Sequence, residues 1–198
     1  MPDEILPDPE LALGRRDGWP EALRFLVVRH PRATWEGSAA LGPLAHYWLG
    51  RHAGFRELSA MLGAATAEFE AGRLEAAEFR PWFAPRLQYL LTHLDGHHQV
   101  EDYYYFPRLS AAEPRLAAGF AALAADHEEL DRAIRNGVEA ANALLTAPAD
   151  SDIERAAGAR YVAASAHLLG SLARHLDDEE DLVIPLLLDR GEDALGLG

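Results

Sequence analysis

One phrase occurs twice in this chain, and it limits the folds open to it more than any other feature. His97-His98-Gln99-Val100-Glu101-Asp102-Tyr103-Tyr104-Tyr105-Phe106-Pro107 returns as His175-Leu176-Asp177-Asp178-Glu179-Glu180-Asp181-Leu182-Val183-Ile184-Pro185. Each copy carries a His, a Glu four residues later, a second acid beside that Glu, and a Pro six residues beyond it. Residues four apart share one face of a helix, so each phrase aims an imidazole and a carboxylate at the same point. Two such pairs must bring two helices together around a polar centre. A metal site describes that centre better than two coincidental surface pairs.

The remainder of the chain reads as helix. Ala, Leu, Glu and Arg dominate, Ile and Thr are scarce, and no stretch alternates long enough to be a strand. Four long helices are expected over about 38–71, 78–110, 114–146 and 151–189. Gly72 and Gly191 stop the first and last of them. Pro81 and Pro85 fall in the opening turns of the second helix, with Pro107 near its end. Ser151 can cap the fourth with Glu154 as its capping-box partner, and Pro185 should kink or tighten its final turn. Helices of this length on short turns predict an all-α, up-down-up-down four-helix bundle over residues 36–198. Residues 1–35 form an irregular N-terminal extension, broken by Pro2, Pro7, Pro9, Pro20 and Pro31. It holds one short helix, begun at Trp19-Pro20-Glu21 and ended by Pro31, whose Leu23, Leu26 and Val27 could lie against the bundle.

A longer repeat underlies the short one. His52 precedes His97 by 45 residues and His127 precedes His175 by 48, so each half is a helical hairpin with a lone His and then a His/Glu pair. Two related hairpins about a pseudo-two-fold axis would bring all six groups to the centre. His46 lies six residues before His52 on the same helix, so the two cannot both face the core squarely; His52 is preferred because its surroundings match those of His127, with His46 the alternative. His98 points roughly 100° away from His97 and reads as a surface or supporting residue that could pair with Asp102. His93, one turn before His97, is open to a role as extra ligand or proton relay; His30 and His167 read as structural. Asp102, Asp126 and Glu180 are candidate acceptors for ligand N–H groups. In the run 177–181 only Glu179 is in phase with His175, so the other four acids read as a solvated face. Tyr104 or Tyr105 should lie near the metal face, as packing or as a hydrogen-bonding or radical group.

Composition removes several function classes. The net charge is −14, with 32 acids against 18 basic residues, so neither a nucleic acid nor an anionic membrane surface is an expected partner. There is no cysteine, which removes thiolate zinc sites, iron–sulfur clusters and cysteine nucleophiles. The acidic start, Met1-Pro2-Asp3-Glu4, does not read as a secretory signal, and no apolar run is long enough to span a membrane. The expected location is cytoplasmic.

Four imidazoles and two carboxylates suit iron, manganese or zinc, and poorly suit calcium or magnesium. With two bridging Glu, two His per metal and one solvent-derived oxo or hydroxo bridge, each of two ions has about five donors and a small molecule can take a sixth position. At this point the chain resembles the hemerythrin-like family, or HHE cation-binding domain. The resemblance rests on both His-x-x-x-Glu-[Glu/Asp] phrases, the Pro after each and the two lone helical His, and it runs from about residue 38 to 190. It implies a four-helix bundle with two iron ions, His52, His97, His127 and His175 as terminal ligands, and Glu101 and Glu179 as bridges. The family's oxygen carriers have one more His a turn before the third-helix ligand. Here that position is Leu123. By that comparison the site is one ligand short, which favours sensing of, or redox reaction with, O2, NO or peroxide over oxygen carriage. The rival readings are an iron-handling protein, a ferritin-like oxidase, a bundle holding zinc structurally, and a metal-free interaction module. Any signal would pass through a protein partner or a conformational change.

Overall fold

The computed structural model describes residues 7–197, and among them there are helices and turns but no strand. The acidic residues at the extreme N-terminus and Pro2 lie outside the described residues. Single 3-10 turns at Pro9–Leu11, Glu21–Leu23 and Arg32–Thr34 surround a short helix, α1 (Phe25–Arg29). Then come α2 (Pro43–Glu70) and α3 (Ala76–Val100), a π-helical turn at Glu101–Tyr105, and α4 (Phe106–Ala112). A 3-10 turn at Pro114–Leu116 leads into α5 (Ala117–Thr146), and α6 (Asp152–Arg190) closes the order. No described helix is long and apolar enough to cross a membrane.

The helix ends follow local chemistry with two departures. Gly72 and Gly191 hold positive φ values of 67° and 79° just beyond α2 and α6, the left-handed conformation that ends a helix at low cost. Ser151 Oγ accepts from Glu154 N–H at 3.0 Å, while the Glu154 carboxylate reaches back to Asp150 N–H at 2.9 Å. The first departure is the start of α2, five residues later than expected. The Glu192 carboxylate accepts from Leu44 and Ala45 N–H at 3.0 and 2.9 Å, so the cap comes from the far end of the chain. A Cβ on Gly42 would sit 2.4 Å from that carboxylate, so a larger residue there would have to push the Glu192 side chain aside. The second is the π turn, which interrupts the expected helix 78–110 six residues before Pro107. By contrast α6 continues through Pro185 to Arg190.

The chain divides into two compact units. One comprises the described residues up to Ala53, His98–Glu128, and those from Arg174 onward. Its core packs Trp19, Leu23, Leu26 and Trp35 with Trp48, Phe106, Phe120 and the apolar run Leu182–Leu188. The N-terminal segment is therefore part of a core. Trp19 and Trp35 bury their rings while each indole N–H donates to a carbonyl, of Asp178 and His30 respectively, both at 2.7 Å. The other unit, Gly54–His97 with Glu129–Ala173, centres on a stack of Phe69, Phe79, Phe83 and Tyr161 with successive ring centroids 4.6–4.7 Å apart.

Candidate metal centre

Two groups of donors lie in the core. In the first, His52, His97, Glu101 and Glu179 each offer a ligand atom, all within 4.8 Å of one another; in the second, His98, His127 and His175 do the same. His52 comes from α2, His127 from α5, and His175 with Glu179 from α6. His97 and His98 close α3, and Glu101 opens the π turn one helical turn after His97. His97 is half-buried, its ring 5.2 Å from Phe55, while the other six are less than 5% exposed.

The carboxylates join the two groups. Glu179 Oε1 lies 3.5 Å from His52 Nε2, and its Oε2 lies 3.2 Å from His175 Nε2, so its two oxygens face one imidazole from each group. Glu101 Oε2 is 3.6 Å from His127 Nε2. Inside the second group His127 and His175 Nε2 are 3.1 Å apart, and the His98 ring stacks on His127 at 4.0 Å. Trp48 Nε1–H donates to Glu179 Oε1.

Three imidazoles are held from behind by carboxylates. His52 Nδ1 meets Glu180 at 3.0 Å, His127 Nδ1 meets Asp102 at 2.8 Å, and His175 Nδ1 meets Asp126 at 3.4 Å. With its proton held at Nδ1 by a carboxylate, an imidazole can turn an Nε2 lone pair inward once a metal replaces any proton there, the tautomer a metal ligand needs. These are the three acids expected from the sequence to support the ligands.

The electrostatics favour a cation. Burial, followed by the charge and hydrogen bonding of Glu179, pushes the Glu101 carboxyl well above the ordinary carboxylate range. Burial pulls His175 down, but hydrogen bonds to Asp126 and Glu179 and their charges outweigh it and raise its pKa to about 9. Burial and the neighbouring His175 lower His127 despite Asp102. Two buried carboxylates beside several imidazoles offer a cation a desolvated seat with compensating negative charge. The donor set present therefore fits a transition-metal centre.

Two expectations need correction. His98 is buried, 4% exposed, and stands with His127 and His175, not at the surface. With it five histidines stand in the two groups, two in the first and three in the second. The signal was the doubled histidine itself: neighbours 100° apart can serve two donor groups that sit side by side. Second, Asp178 and Glu180 are not a solvated face; they are 9% and 3% exposed, because arginines from the N-terminal segment pair with them. Those arginines had no local signal, since their partners are 110 to 162 residues away. Elsewhere, His46 is exposed and contacts Gly42 O at 2.9 Å, His93 packs against Tyr89, His167 is exposed, and His30 lies 3.3 Å from Asp189. Tyr105 packs on Trp48 at 4.9 Å, whereas Tyr103 and Tyr104 are exposed.

Fold and site together define a helical cation-binding protein with a mixed imidazole and carboxylate donor set. The comparison with family models agrees and is more specific. The chain belongs to the hemerythrin HHE cation-binding domain family, whose model matches residues 44–187. Searches of curated proteins and of solved structures returned no significant match.

Proposed function

We propose that this chain is a non-haem di-iron hemerythrin-like protein that binds or responds to O2, NO or peroxide. The observation that carries the reading is Glu179, whose oxygens address His52 on one side and His175 on the other. One ion would be held by His52 and His97, the other by His98, His127 and His175, with Glu101 and Glu179 shared between them. The side with two imidazoles has one donor fewer and is where a small molecule would enter. When bound, a reduced iron pair supplies electrons to a small oxidant. The chain's own part is to hold Nε2 lone pairs inward through Glu180, Asp102 and Asp126, and to keep bulk water away with Trp48 and Phe55 beside His52 and His97. The short connections at 71–75 and 147–151 support the up-down-up-down order of the four long helices.

A ferritin-like oxidase fits less well. That class places Glu before His and uses lone Glu ligands, whereas here His precedes Glu and the lone donors are His. The test is metal analysis of anaerobically purified protein, followed by absorption spectra as air, NO or peroxide is admitted. The reading predicts about two irons per chain and bands that change with each small molecule. Bound zinc with a silent spectrum would contradict it.

A further inference from the structure

We propose that the segment before α2 is part of the metal centre's support, with Arg16 and Arg32 as positioning residues, one for each donor group. This rests on the di-iron reading above and adds two residues and a division of labour to it. The Arg16 side chain is 2% exposed. Its guanidinium grips Asp126 with two hydrogen bonds, of 3.0 and 2.5 Å, and Asp178 with a third of 2.7 Å. Asp126 in turn meets His175 Nδ1. Arg32 reaches Glu180 at 2.6 Å and Asp181 at 2.7 Å, and Glu180 meets His52 Nδ1. Two chains of the same form result: Arg16–Asp126–His175 ends in the second donor group, and Arg32–Glu180–His52 in the first.

A forked guanidinium fixes a carboxylate in angle as well as position. The carboxylate then fixes the imidazole's tautomer and plane. Arg16 is itself held at both ends: its guanidinium lies 4.5 Å from the Trp19 ring and donates to Leu11 O, and its carbonyl accepts from Arg174. Without Arg16, Asp126 would be a buried carboxylate with its guanidinium partner gone, free to turn away from His175. Loss of such an outer partner typically costs 10–100-fold in metal affinity. Arg32 is 40% exposed and screened by solvent, so its effect should be the smaller.

A purely structural role would predict something else. Arg29 also ties this segment to α6, through Asp189 at 2.5 Å, but Asp189 orients none of the clustered histidines. The test is an anaerobic titration of the full metal-free chain with cobalt(II), following its visible bands, for wild type, Arg16→Gln, Arg16→Lys, Arg32→Gln and Arg29→Gln. Wild type should take up two cobalt ions. Arg16→Gln should weaken one of them on the order of tenfold and leave the other, with partial recovery in Arg16→Lys. Arg32→Gln should weaken the other ion by several-fold, and Arg29→Gln neither. Exposed Arg32 keeps the test alive if Arg16→Gln does not fold. If wild type binds two ions and the Arg16 and Arg32 variants bind both equally well, or Arg29→Gln behaves as they do, the positioning role is wrong. A wild-type chain that fails to bind two ions overturns the di-iron reading instead, and this inference with it.

Discussion

His97 and His98 are adjacent, yet each belongs to a different donor group. Successive helical residues diverge by about 100°, so adjacent imidazoles serve one site only if that site spans both directions. On the di-iron reading each holds a different ion. His98→Ala should then lower the metal content from two ions toward one, measured by elemental analysis. Full retention would remove His98 from the ligand set. Glu101→Ala and Glu179→Ala should each lose both ions, because each carboxylate is proposed to contact both. At this scale the sequence was most informative where partners are close in the chain. His175 with Glu179 could be read from helical spacing, and the acids beside the ligands could be read as acceptors, though not which imidazole each meets, since those lie 25 to 128 residues away. Arg16 and Arg32 could not, because nothing local distinguishes an arginine that finds its carboxylate across more than a hundred residues.

The π turn at Glu101–Tyr105 shows what spacing cannot supply at the level of elements. In it the Phe106 N–H bonds to the Glu101 carbonyl, five residues back, so the turn is wider than an α turn and later side chains are displaced around the axis. Tyr105 therefore falls half-buried against Trp48, and Phe106 reaches the core beside His127, at 5.5 Å. A strictly α-helical projection leaves Phe106 unassigned. Pro107, which lacks an N–H and crowds the carbonyl four residues back, marks the strain without saying where it is relieved. The cap on α2 was equally hidden, since its acceptor is Glu192. The Ser151 and Glu154 cap, wholly local, was legible. Glu192→Ala should cost about 1 kcal/mol of unfolding free energy while leaving bound metal unchanged, read by denaturant titration with metal analysis. In the other unit Phe79→Ala should cost about 3–5 kcal/mol, because it removes the middle of an aromatic stack.

For the whole molecule, the fold class followed from composition: a chain rich in Ala, Leu, Glu and Arg has little other than helix to form. Its division into two packed units was not visible, because it cuts across long helices whose sequence runs on unbroken. Stability should depend on metal as well as on packing. A ligand at a hundred times its dissociation constant adds about 2.7 kcal/mol. Chelation should therefore lower the melting temperature by about 5–10 °C for a chain of this size. An unchanged melting temperature would mean the donors hold no tightly bound ion.

Acid should act at a separate place. Glu113, buried between Arg115 and Arg190, is held down to about 2 by the Arg115 hydrogen bond above all, from an ordinary 4.5. A carboxyl depressed on folding contributes stability that is complete above about pH 4.5 and is lost as pH falls toward about 2. Glu113→Gln should flatten the pH dependence of unfolding across that window.

The most direct test of the central claim is a crystal structure of anaerobically prepared protein with anomalous data at the iron edge. The account predicts two iron peaks, one among His52 and His97 and one among His98, His127 and His175, with Glu101 and Glu179 between them. A single peak, or peaks away from these side chains, would contradict it.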